Sequence, residues 1–114
     1  ATLSITYAEF TNEIDANNTF EKLQTDIMEK LNESGSGYYQ ENYVIGFYIP
    51  QIGNHDNLCL FYLLYKSEKK IVYVNEQGPV SFVDQNQGLV NDICKTVGLD
   101  PSENYTAIRQ KLDK

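Results

Sequence analysis

Three observations predict an α+β fold for this chain: a helical apolar period in its first third, a switch to a period of two from Tyr38 to Asp84, and a return of helical period beyond Asp84. The expected order is two N-terminal helices, a four-stranded antiparallel meander sheet and two C-terminal helices packed on the sheet, forming a single domain over residues 1–114. A chain of this length buries roughly two thirds of the surface that its unfolded form exposes, so a core can form without metal or disulfide.

Thr6-x-x-Glu9 has the spacing of a capping box, in which the threonine hydroxyl accepts an orphan backbone N–H and the glutamate reaches back. It predicts a first helix from Tyr7 to Ala16 with Tyr7, Phe10 and Ile14 on its apolar face. The rival reading is a short strand in Thr2 to Tyr7, where Leu3, Ile5 and Tyr7 alternate with small polar residues. Asn17-Asn18-Thr19 breaks the pattern and offers caps. A second helix from Thr19 to Glu33 follows, its stripe built from Phe20, Leu23, Ile27 and Leu31. Ser34-Gly35-Ser36-Gly37 ends it, because glycine accepts the left-handed conformation of a helix terminus and the repeat offers no packing atoms.

The strands expected next are Glu41 to Pro50, Leu58 to Lys66, Ile71 to Asn75 and Val80 to Asp84. Leu58 to Tyr65 is apolar at every position, as in an interior strand covered on both faces. Polar turns separate the strands at Gly53-Asn54-His55-Asp56-Asn57, Ser67 to Lys70 and Glu76 to Pro79. Connections this short suit antiparallel neighbours, since a parallel crossover needs about a dozen residues. Leu89, Val90, Ile93 and Val97 then share a helical face that stops at Gly98. Asp100-Pro101-Ser102-Glu103 opens the last helix with a cap, a proline at the first position and an acid in the first turn, and Tyr105, Ile108 and Leu112 form its stripe.

The formal net charge is −7, and its distribution is uneven. Residues 1–60 hold nine acids against Lys22 and Lys30, whereas residues 61–114 hold seven charges of each sign. Phosphate neutralisation needs clustered Lys and Arg, so direct binding to nucleic acid or to an anionic membrane is not expected. The partner expected is a basic protein. No apolar run approaches the ~18 residues of a membrane helix, and no basic region followed by an apolar core marks a signal peptide at the N-terminus, so the expected location is cytoplasmic.

Catalytic patterns are sparse. No phosphate-binding glycine loop, dinucleotide turn or nucleophile elbow occurs. His55 is the only histidine and lies in a polar turn, a strand's length of about 13 Å from Cys59. Cys59 and Cys94 are too few to hold a structural zinc and are expected to be separate buried thiols. The chain is therefore expected to act without enzymatic turnover, metal or cofactor. Tyrosine is the remaining departure from the ordinary, with seven of nine between Tyr38 and Tyr73. An amphipathic tyrosine surface suits protein interfaces.

Acid-rich helices beside a tyrosine-rich sheet suggest a small acidic protein-binding module, an inhibitor or immunity-type protein that covers a basic surface of its partner, either an active site or a nucleic-acid groove. The residues expected to meet the partner are Glu9, Glu13, Asp15, Glu21, Asp26, Glu29 and Glu33 with Tyr43, Tyr48 and Tyr62. Two other classes stand beside this one. One is a small-ligand-binding or enzymatic domain with a tyrosine-lined pocket on the sheet, and the other is a chaperone-like accessory subunit that dimerises through the sheet. The corresponding expectation for assembly is a monomer or weak homodimer.

Overall fold

In the computed structural model, which describes residues 1–50 and 58–112 with backbone alone at 33–35, the chain is α+β with an antiparallel sheet. Among the described residues the sheet has five strands and three helices accompany it, where four of each were expected. The first correction lies at the N-terminus. Thr2–Glu9 is strand β1, paired with the later segment Lys70–Pro79 from Thr2↔Gln77 to Glu9↔Lys70, so the rival strand reading holds there and the helix of Tyr7 to Ala16 does not. Leu3 and Ile5 are half-buried against the core on one face, an arrangement available only to a period of two.

Helix α1 runs unbroken over Glu13–Ser34. Asn12 begins it: its Oδ1 accepts the backbone N–H of Asp15 at 2.8 Å, as an N-cap does. The expected break at Asn17-Asn18-Thr19 is absent because the buried stripe crosses it. Ala16, Phe20, Ile27 and Leu31 are buried and Leu23 packs beside them, while Asn17 and Asn18 face solvent. Each asparagine costs the helix a few tenths of a kcal/mol in propensity. Burying the Phe20 side chain alone is worth about 1.5–3 kcal/mol, so packing decides.

Helix α1 ends at the Ser-Gly repeat as expected, but the repeat then becomes part of strand β2, Gly35–Gln40, paired with β3, Tyr43–Tyr48. The missing side chains have a purpose here. Gly37 and Gly46 are cross-strand partners, and a Cβ on either would stand 2.9 or 2.7 Å from Leu31 Cδ1. Two glycines thus let the last buried turn of α1 sit directly on the strands.

Strand β4, Leu58–Ser67, is interior as expected, between β3 and β5, Lys70–Pro79. The third correction concerns β5, which continues through the expected turn at Glu76 to Pro79. These residues pair with β4 on one side, Phe61↔Glu76 to Leu58↔Pro79, and up to Gln77 with β1 on the other. The expected strand Val80 to Asp84 is instead the opening of helix α2, Val80–Lys95, whose buried residues Val83, Gln87, Val90 and Cys94 keep helical spacing. Leu89, expected on that face, is 51% exposed. Helix α3, Ser102–Leu112, agrees with its prediction: Asp100 Oδ1 accepts from the Ser102 N–H and hydroxyl, and Tyr105 and Ile108 are buried.

The strand order is β1-β5-β4-β3-β2, every neighbour antiparallel. Helix α1 lies over β2 to β5 on one face, while α2 lies over β4 and β5 and α3 over β2 and β3 on the other. Alternation sorts the side chains accordingly. Tyr43, Ile45, Phe47, Cys59, Phe61, Leu63, Val72 and Val74 meet α2 and α3, and Val44, Tyr62, Leu64 and Ile71 meet α1. Among the described residues no helix is long and apolar enough to cross a membrane.

Candidate protein-binding surface

Helix α1 carries six carboxylates and two lysines, a net −4, and its acids divide by helical geometry. At 100° per residue from the buried stripe, Glu13 and Glu21 fall on one flank, and Asp15, Asp26 and Glu29 fall on the outer and opposite sides. All five are exposed, as are Lys22 and Lys30. The backbone of Glu33 continues the outer side, and its side chain lies outside the described residues. Glu9 is exposed at the far end of β1, where Phe10 N–H donates to the Lys69 carbonyl at 2.8 Å.

The Glu13 flank overhangs the sheet. With Asn17, Phe20 and Gln24 it forms one wall of a cleft of about 810 Å³, and Glu41, Asn42 and Lys66 close the other side. Asn42 is fixed there by its Nδ2, which donates to the Lys66 carbonyl at 2.9 Å. The Lys66 ammonium donates to the Glu68 carbonyl at 3.1 Å. Three carboxylates therefore line the cleft against one lysine. Among the described residues the one ion pair within 4 Å joins Arg109 to Asp84 on the α3 side, and no lysine pairs with an α1 carboxylate.

The tyrosines expected at the interface separate. Tyr43 is 3% and Tyr62 5% exposed, so both are core residues, a correction to their expected place on an open surface. The Tyr43 hydroxyl donates to Asn104 Oδ1 at 3.2 Å on the α3 side, and burial raises its pKa well above the ordinary value. Tyr48 is half-buried on the α1 side, where the Lys30 ammonium stands 5.7 Å from its ring centre. The cause is coverage of both sheet faces, which leaves no tyrosine platform in the centre. Exposed aromatic area lies at the edges, in Tyr38, Tyr39 and Tyr7.

A smaller cleft of about 200 Å³ lies on the other flank of α1, lined by Asp26, Ile27, Lys30, Tyr62, Tyr73 and Asn75. Burial pushes Tyr62 up to about 12 and raises Tyr73, so both phenols stay protonated at neutral pH. Tyr73 and Asn75 were not expected here, although their alternation in the third predicted strand puts them on one face. Glu76 was also missed, because the turn reading interrupted the period Val72, Val74, Glu76. It is fully buried on the α2 side, with Oε1 accepting from Asn86 Nδ2 at 2.9 Å and Oε2 without a partner among the described residues.

Cys59 and Cys94 are free buried thiols, each pushed up to about 11 chiefly by burial. The thiolate, the reactive form, is scarce at neutral pH. The turn containing His55 lies outside the described residues, and so does its expected relation to Cys59. Among the described residues no three histidine, cysteine or acidic side chains gather as a metal would require. Comparison with models of known protein families, with curated proteins and with solved structures finds no match.

Proposed function

We propose that the chain is an acidic protein-binding module whose α1 side covers a basic surface of a partner protein, in the manner of an inhibitor or immunity-type protein. The supporting observation is that, among the described residues, the α1 carboxylates are exposed and no lysine pairs with them, and that Glu13, Glu21 and Glu41 border a cleft of about 810 Å³. The net negative field steers association, and desolvation around the half-buried Tyr48 then slows release. The contact set is Glu9, Glu13, Asp15, Glu21, Asp26, Glu29 and Glu33 with Tyr48.

Reversal of Glu13, Glu21 and Glu29 to lysine tests the reading. Binding to a basic partner captured from the native source is expected to lose association rate by at least tenfold and to weaken as salt rises, with dissociation changed less. Equal on-rates for parent and variant would overturn it. A second reading, a small polar ligand held at Tyr62, Tyr73, Asp26 and Lys30, is favoured by the cleft on the other flank. Its 200 Å³ is below the ~300–1,000 Å³ of ordinary ligand pockets, which ranks it second.

A further inference from the structure

The sheet has two edges, and they are protected unequally. β2 is six residues long and is packed by α1 on one face and α3 on the other. β1 is eight residues long, pairs with β5 without a bulge and contains neither proline nor lysine. Natural edges are ordinarily guarded by such devices, because an outer row of unpaired N–H and C=O groups is a template for another strand. β1 carries no charge from Thr2 to Ala8. Its stripe of Leu3, Ile5 and Tyr7 prolongs the α2-side core to the edge, where Tyr7 is still 52% exposed.

We propose that β1 pairs antiparallel with β1 of a second copy of this chain, joining two five-stranded sheets into one of ten. Antiparallel pairing of a strand with itself is closed by a two-fold axis. With the axis at Ile5, Leu3 faces Tyr7 of the partner subunit and Ser4 faces Thr6 of the partner subunit, so the exposed phenol is covered and hydroxyls meet hydroxyls. Charge favours a second copy at this place. Helix α1 is centred over the middle strands, roughly 10–15 Å from β1 by strand spacing, beyond the ~8 Å Debye length of physiological salt. Two molecules of like charge thus meet where their repulsion is weakest. A strand pair with one apolar stripe buries less than about 1,200 Å², so the dimer is weak. This inference is independent of the α1 reading.

Sedimentation of the full chain from micromolar to millimolar concentration tests it. The parent is expected to pass from monomer to dimer, more readily as salt screens repulsion, and alternate β1 amides are expected to exchange more slowly as concentration rises. The double variant S4K/T6K, which sets lysines opposite lysines at exposed positions, is expected to dimerise at least tenfold more weakly with its melting temperature within a few degrees of the parent. A parent monomeric at millimolar concentration overturns the inference, as does association that salt weakens, or amide exchange in β1 that ignores concentration. The opposite salt dependence separates this contact from the α1 partner.

Discussion

The two faces of the sheet solve the same burial problem differently. A helix is about 10–12 Å across and five strands at ~4.8 Å spacing exceed 20 Å, so two helices seal a face and one does not. On the α2–α3 face the seal is apolar and aromatic. Phe47, Phe61 and Tyr105 meet with ring centres 5.3 to 5.7 Å apart, and residues 80–112 carry four acids against three bases. On the other face α1 alone carries −4 and leaves β1 largely uncovered, with Thr2, Ser4 and Thr6 exposed. The larger buried cluster lies on one side, and the exposed carboxylates of α1 on the other.

The largest effect that tests this division comes from opposite faces of the molecule. Phe61→Ala removes a fully buried ring from the sealed face and is expected to cost about 3–5 kcal/mol in chemical unfolding. Ile14→Ser, on α1 at 71% exposure, is expected to stay within about 0.5 kcal/mol. A costly Ile14→Ser would mean that the outer surface of α1 carries stability beyond its buried stripe.

A smaller effect sharpens the comparison within the α1 face. At Gly46 a Cβ would meet Leu31 Cδ1 at 2.7 Å and the Ser36 carbonyl oxygen at 2.8 Å, whereas at Gly37 the obstacles are Leu31 and the Tyr39 phenol, both side-chain ends. Gly46→Ala is expected to cost about 1–3 kcal/mol. Gly37→Ala is expected to cost less and to be relieved more fully by Leu31→Ala than Gly46→Ala is, because at Gly46 the Ser36 carbonyl still stands in the way. Thermal unfolding of the three single and two double variants reads this directly.

The legible and the hidden parts of the fold follow the same physics. The stripe of α1, the interior character of β4 and the cap of α3 are local signals, and they were readable from residue spacing. The asparagines at 17 and 18 look like a helix break because propensity is local, and only the strands beneath Phe20 show why it fails. Glu76 to Pro79 has turn composition but gains ladder partners from β4, at a distance no window sees. The acids of α1 were legible as a surface because charge must remain in water, whereas Tyr43 and Tyr62 were not legible as core. A phenol suits either place, and only coverage of both faces decides between them.

The smallest expected effect returns to the sealed face, where Glu76 is its odd member. Burial raises the Glu76 pKa above the ordinary 4.5, against a smaller lowering by Asn86. A carboxyl with a raised folded pKa binds its proton better folded than unfolded. Its contribution is full below the ordinary value and is lost as pH rises through the folded one. Asp84 acts in the other direction. Burial pushes it up, but the hydrogen bonds from Arg109 and Tyr105 outweigh this and hold it below 3.8, so its contribution is present above that pH and lost as pH falls through the folded value. The two windows lie on either side of the ordinary carboxyl range. Glu76→Gln, which keeps an acceptor for Asn86, is therefore expected to gain on the parent in urea midpoint as pH rises above 4.5, while Asp84→Asn is expected to lie below the parent above pH 3.8 and to converge on it in acid. A parent and Glu76→Gln variant with parallel profiles above that pH would show that the buried carboxyl is already ionised and that the sealed face holds a charge.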